Sequence, residues 1–129
     1  MKKIFVAILL LLAAISVVNA EGPRLEFAQY EVDLGVFDAD SMQTARITMR
    51  NTGNDTLVIF HIHTECRCTR PADYSKVIAP GDSTVLTVTY NGHGHSPGRI
   101  RQALRVRSNS PEAYRTCYIV GEIRRKEQK

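Results

Sequence analysis

The sequence predicts an all-β sandwich, and three observations carry that prediction. No long segment repeats its apolar residues at helical spacing. Short stretches alternate apolar with polar residues instead, so each has one dry face and one wet face. Clusters of Gly, Pro, Asn and Asp, the residues that turn a chain, separate these stretches.

Residues 1–20 read as an export signal. Lys2 and Lys3 give the positive start, residues 4–18 are apolar apart from Ser16, and Val18-Asn19-Ala20 fits a small-residue cleavage site. The apolar run is short for a membrane span, which needs about 20 residues, so no span is expected after cleavage. The mature chain is then 21–129, a single domain of 109 residues in the periplasm or outside the cell.

Leu25 and Phe27 alternate with charged residues, and Tyr30, Val32 and Leu34 continue the pattern up to a bend expected over 35–40. Over 42–51 Ala45, Ile47 and Met49 form the apolar set, with Thr44, Arg46, Thr48 and Arg50 on the other face. Asn51-Thr52-Gly53-Asn54-Asp55 is turn chemistry. The longest expected strand, 57–68, changes parity: Leu57 and Ile59 share one side, while Ile62, Thr64, Cys66 and Cys68 share the other. Such a switch predicts a bulge near Phe60 and His61. Pro71 is expected to end the run, and Pro80-Gly81-Asp82 to turn the chain into the strand that holds Leu86, Val88 and Tyr90. A polar loop over 91–98 follows. Ile100, Leu104 and Val106 then face one way and Arg99, Arg101, Arg105 and Arg107 the other. After a loop at 108–113, the strand over 116–124 sets Cys117, Ile119, Gly121 and Ile123 on one side, which places Cys117 in the core; residues 124–129 form a charged tail. The count is about seven strands, that of a simple immunoglobulin-like β-sandwich. With no tryptophan, the antibody Cys…Trp…Cys core is missing.

Loss of Lys2 and Lys3 lowers the formal charge from +4 to +2, so nucleic acid is not an expected partner. Export implies an oxidising setting in which thiols pair. The three cysteines, Cys66, Cys68 and Cys117, allow at most one internal bridge; the third thiol stays free, bridges to a second chain, or binds something. Cys66 and Cys68 on an extended strand would have Cα atoms roughly 6.5–7 Å apart, at the far edge of disulfide geometry. The competing pairing joins one of them to Cys117 and closes a loop of about 50 residues, adding roughly 3–4 kcal/mol. A redox role for Cys66 and Cys68 would need an exposed, low-pKa thiolate.

All four histidines fall in two His-x-His pairs, His61 with His63 and His93 with His95. His61, His63, Cys66 and Cys68, joined by His93 and His95, form a nitrogen and sulfur set suited to Zn or Cu. The blander alternative is a polar strand face and a solvated loop. Arg99, Arg101, Arg105 and Arg107 make a basic stripe, with Arg46 and Arg50 expected nearby, that would meet an anionic partner or simply be solvated. No Gly-x-Ser-x-Gly motif, phosphate loop or outstanding carboxylate pair occurs, so no enzyme is expected.

One set of features, in order, resembles a known family: Asp33-Leu34-Gly35, Asn51-Thr52-Gly53 before Leu57-Val58-Ile59, Cys66-x-Cys68-Thr69, Pro80-Gly81, Val88-x-Tyr90, Gly98-x-Ile100, Val106-x-Ser108-Asn109 and Gly121. It is similar to the bacterial exported family catalogued as domain of unknown function fifteen seventy-three, related to the Hydin-like and abnormal-spindle-like immunoglobulin domains. The likeness covers residues 25–123. Arg67 stands where the family usually has the glycine of Cys-Gly-Cys-Thr, and Cys117 where an aliphatic residue is more frequent. The resemblance implies an immunoglobulin-like sandwich and no established activity. The expected role is a non-catalytic binding or structural module with a protein partner in the cell envelope. The alternatives are a small Zn or Cu protein and a thiol redox protein.

Overall fold

The structure, a computed structural model, describes residues 22–125. The expected signal at 1–20 and the end of the tail lie outside the described residues.

Alternating side chains build nine strands and, among the described residues, no helix. They are β1 (Leu25–Phe27), β2 (Glu31–Asp38), β3 (Met42–Asn51), β4 (Leu57–Thr64), β5 (Thr69–Ala72), β6 (Val77–Ile78), β7 (Ser83–Asn91), β8 (Gly98–Ser108) and β9 (Tyr114–Arg124). One sheet has the order β1-β3-β7-β5 and the other β2-β9-β8-β4-β6. The neighbours are antiparallel except β2 and β9, which run parallel from Glu31 opposite Tyr118 to Asp38 opposite Arg124.

The core lies between the sheets. Ile47, Met49, Leu86, Val88 and Tyr90 from the first sheet are buried with Ile59, Ile62, Leu104, Val106, Cys117, Ile119 and Ile123 from the second. Each fully buried aliphatic side chain contributes about 1.5–3 kcal/mol.

Two strands exceed the expected seven. β5 and β6 have only four and two residues, too few for alternation to show. β5 also contains Pro71, which does not end the run: β5 lies at a sheet edge, where a missing N–H costs no ladder bond. The expected bend over 35–40 is absorbed into β2 as an irregularity between Asp33 and Val36, where Gly35 takes φ 77° and its N–H donates to Asp33 Oδ1 at 2.8 Å. The ladder between β4 and β8 skips Phe60, with Ile59 opposite Ser108 and His61 opposite Arg107. That extra residue is the bulge implied by the parity switch.

A buried asparagine ties the β3–β4 turn to the rest. Asn51 Nδ2 donates to the carbonyls of Asp55 (2.7 Å) and Ile78 (3.0 Å), while its Oδ1 accepts from the N–H groups of Gly53 (3.0 Å) and Arg24 (3.2 Å). Its backbone N–H also donates to Asp82 O, and its carbonyl accepts from Gly81 N–H, both at 2.9 Å. Gly53 is required for a steric reason: a Cβ there would lie 2.1 Å from Gly22 O and 2.8 Å from Arg24 N, both backbone atoms. Gly53→Ala is therefore expected to cost about 1–3 kcal/mol in chemical denaturation. A loss below about 0.5 kcal/mol would show that the Gly22 segment moves aside freely.

Candidate functional site

The cysteine pair sits where the expected long strand gives way to a turn. β4 stops at Thr64, and residues 65–68 bend before β5 starts at Thr69. Thr69 N–H closes this turn on Cys66 O at 3.2 Å, and Thr64 Oγ1 donates to the same oxygen at 3.2 Å. The extended geometry expected for Cys66 and Cys68 is thus wrong. Their Cα atoms are 5.1 Å apart, and their sulfurs are bonded to each other. That separation lies inside the usual disulfide range.

This bridge spans a sequence separation of two. By chain entropy so short a loop adds only about 1.5 kcal/mol, against the roughly 3–4 expected for a link to Cys117. It staples no sheet to another. Cys117 is the free thiol, on β9 opposite Leu104 and 0% exposed. Burial pushes its pKa up to about 12. A bridge from Cys117 to a second chain would therefore need the sandwich to open around that sulfur.

Asn91 N–H donates to Cys68 O at 2.8 Å, holding the cysteine turn against the end of β7. From there the β7–β8 loop turns back. His93 N–H donates to Asn91 Oδ1 and His95 N–H to Gly92 O, each at 3.0 Å. The loop brings His95 to the sulfurs: a ring nitrogen of His95 and the Sγ atoms of Cys66 and Cys68 all lie within 4.8 Å of one another. The expected six-residue metal set is thus split. His61 and His63 project from the solvent face of β4 with ring centroids 4.2 Å apart, and His93 is exposed in the loop. Among the described residues, none of these three joins the sulfur cluster.

The stripe of Arg99, Arg101, Arg105 and Arg107 lies on the outer face of the five-stranded sheet. Arg46 and Arg50 do not join it, since β3 belongs to the other sheet. The sequence pattern missed the partners of these arginines. The Arg101 guanidinium sits 4.2 Å from the Tyr118 ring centre and that of Arg105 4.9 Å from Tyr114; Arg107 lies 6.0 Å from both Phe60 and Tyr114. Phe60 and Tyr114 are 55% and 46% exposed, so an apolar surface accompanies the charge. Among the described residues Arg101 reaches Glu31 at 4.0 Å, and no carboxylate comes that close to Arg99, Arg105 or Arg107. Alternation in β9 and the bulge at Phe60 were the available signals for this pairing of rings with guanidiniums.

A second charged group closes the opposite flank of β9. Arg115 donates to Glu112 Oε2 at 2.5 Å and also to Tyr30 Oη. That hydrogen bond and charge hold the Glu112 carboxyl below the ordinary carboxylate range. Beside the pair is an open cavity of about 440 Å³ lined by Arg24, Gly53, Pro111 and neighbours.

Among the described residues no helix is long and apolar enough to cross a membrane. No curated protein matches the sequence. Among solved structures the chain is similar to a protein of unknown function from Porphyromonas gingivalis W83, at 21% identity and TM-score 0.69 over 84% of this chain. The chain spans 50% of that protein. It is also similar to the secreted serine protease VesC from Vibrio cholerae, at 21% identity and TM-score 0.59, over 77% of this chain and 23% of the protease. The ASH / PapD-like domain 7 of human CEP192 matches at 11% identity and TM-score 0.62, over 86% of this chain and 97% of the domain. Identities this low establish the immunoglobulin-like, PapD-like sandwich and nothing about chemistry. A family model matches residues 25–123, nearly the whole described sandwich, and by that match the chain belongs to the family described as protein of unknown function, DUF1573.

Proposed function

We propose that this is a non-catalytic exported module that binds an acidic segment of a protein partner in the cell envelope. The observation that carries the reading is the outer face of the five-stranded sheet, where Arg99, Arg101, Arg105 and Arg107 run beside Phe60, Tyr114 and Tyr118. Arg and Tyr dominate the energetic centres of protein interfaces. Rings beneath the guanidiniums hold them in place while leaving their N–H groups for carboxylates. The strand edges support this reading less. β1, β5 and β6 have two to four residues each, and β2 carries Glu31, Asp33 and an irregularity that discourage a docking strand.

Retention of envelope proteins on the immobilised native chain tests the proposal, with Arg105→Glu/Arg107→Glu as the comparison. The native chain is expected to hold a specific acidic protein at low salt. The variant should lose at least about tenfold in affinity, and added salt should weaken the native complex. Equal retention by both chains would overturn the assignment to this face. Turnover of a peptide or glycan by the purified chain would overturn the non-catalytic reading.

A further inference from the structure

We propose that the Cys66–Cys68 bridge is a redox gate on a metal site. Once opened by a dithiol, Cys66, Cys68 and His95 bind one thiophilic d10 ion, Zn2+ or Cu+.

The location favours a site over a staple. The bridge joins residues two apart in one turn and links no separate elements. A histidine from a different loop nevertheless reaches it, with all three donor atoms within 4.8 Å of one another. The two loops are fixed to each other by the Asn91 N–H to Cys68 O hydrogen bond at 2.8 Å. Two thiolates on one tetrahedral zinc at about 2.3 Å lie roughly 3.7 Å apart. Cα atoms 5.1 Å apart accommodate that spacing with side-chain rotation alone. The Cys68 N–H points at Cys66 Sγ at 3.1 Å, and an amide donor there stabilises a thiolate.

The chemistry balances. A thiolate of the dithiol attacks one sulfur, and the S–S bond breaks as a mixed disulfide forms. The second thiol of the reagent displaces the other cysteine and leaves as a cyclic disulfide. Two electrons and two protons have then passed to Cys66 and Cys68. Metal binding expels the two thiol protons, so affinity rises with pH. Three protein ligands complete a trigonal Cu+ site, or leave zinc one open position. Cys117 takes no part, being buried in the core. The set differs from a six-ligand cluster in excluding His61, His63 and His93, and it makes metal and disulfide mutually exclusive.

Native mass spectrometry and chelator competition test this on the Cys117→Ser chain, which retains only the two thiols of the site. The chain is reduced without oxygen by a phosphine and offered Zn2+ or Cu+ in separate arms. The expected result is one ion per reduced chain in at least one arm and none on the oxidised chain, with Cys66 and Cys68 shielded from alkylation by the metal. His95→Ala should weaken binding by at least about tenfold, while His93→Ala leaves it unchanged. Binding by the oxidised chain, no binding in either arm, or an unchanged affinity in His95→Ala would overturn the proposal. Both histidines are in a loop, and circular dichroism of each variant verifies the sandwich. Loss of an envelope partner would not bear on this result, since the arginine face lies elsewhere.

Discussion

Asn51→Ala is expected to lower the unfolding free energy by about 3–5 kcal/mol, enough to move the thermal midpoint of a domain this size by roughly 15–25 °C. The side chain is 0% exposed and serves four backbone groups: two N–H donors and two carbonyl acceptors. Alanine removes all four partners at once, and the carbonyl of Ile78 lies where water cannot replace the lost donor. A buried polar group left unpaired costs about 1–3 kcal/mol, more than the hydrogen bond itself was worth. Asn51→Asp should do no better, because a carboxylate keeps the acceptors but faces the Asp55 and Ile78 carbonyls with no donor. Asn54→Ala is the control. Its exposed side chain accepts one bond, from Gly22 N–H at 2.7 Å, and its loss should cost less than about 1 kcal/mol. Urea titration of the three variants decides the matter; an Asn51→Ala loss under about 1 kcal/mol would mean that the turn holds without its side chain.

Alkali should weaken the native protein in large part through the Cys117 thiol. Burial raises Cys117 from an ordinary 9.0 to about 12 in the folded chain. Below pH 9 the thiol is neutral in both states, and the full stability is present. Above it the unfolded chain releases a proton that the folded chain keeps, so unfolding is favoured as pH climbs towards 12. The slope is about 1.4 kcal/mol per pH unit, or roughly 2–3 kcal/mol between pH 9 and 11. Cys117→Val, similar in size and without a proton to lose, should remove that slope. Comparing the two chains by urea titration from pH 8 to 11 cancels the contribution of Tyr90, whose pKa burial also raises. Parallel pH dependence in both proteins would show that the Cys117 thiol is not desolvated as described.

The dry side of each long strand was legible because burial and alternation express one physical fact. Ile47, Met49, Leu86, Val88, Leu104, Val106, Cys117 and Ile119 all face inward as their parity requires. The bulge at Phe60 was legible for the same reason, since only an extra residue reconciles Ile59 and Ile62 as buried neighbours in one strand. β5 and β6 were not, because four and two residues carry no period, and Pro71 argues against a strand until its edge position is known. Parity also cannot say which sheet a strand joins, so Arg46 and Arg50 looked like companions of a stripe on the opposite face of the molecule. The cysteine turn was misjudged through an assumption of extended backbone: hydrogen bonds from Thr64 and Thr69 to one carbonyl shorten the span. The approach of His95 to the sulfurs depends on how one loop folds over another, and spacing in sequence does not record it. Asn51 read as a turn former, and only the tertiary fold shows its buried partners.

The parallel pairing of β2 with β9 has a consequence for how the molecule comes into being. β2 has no other sheet neighbour, and its partner β9 is the last of the nine described strands in the sequence. Nothing local can substitute, so the first long strand waits while some eighty residues are synthesised. Contacts so distant along the chain make folding slow, on the order of milliseconds to seconds. The five-stranded sheet of such a polypeptide therefore cannot close its β2 flank until β9 has been synthesised, and β2 stays without a ladder partner up to that moment.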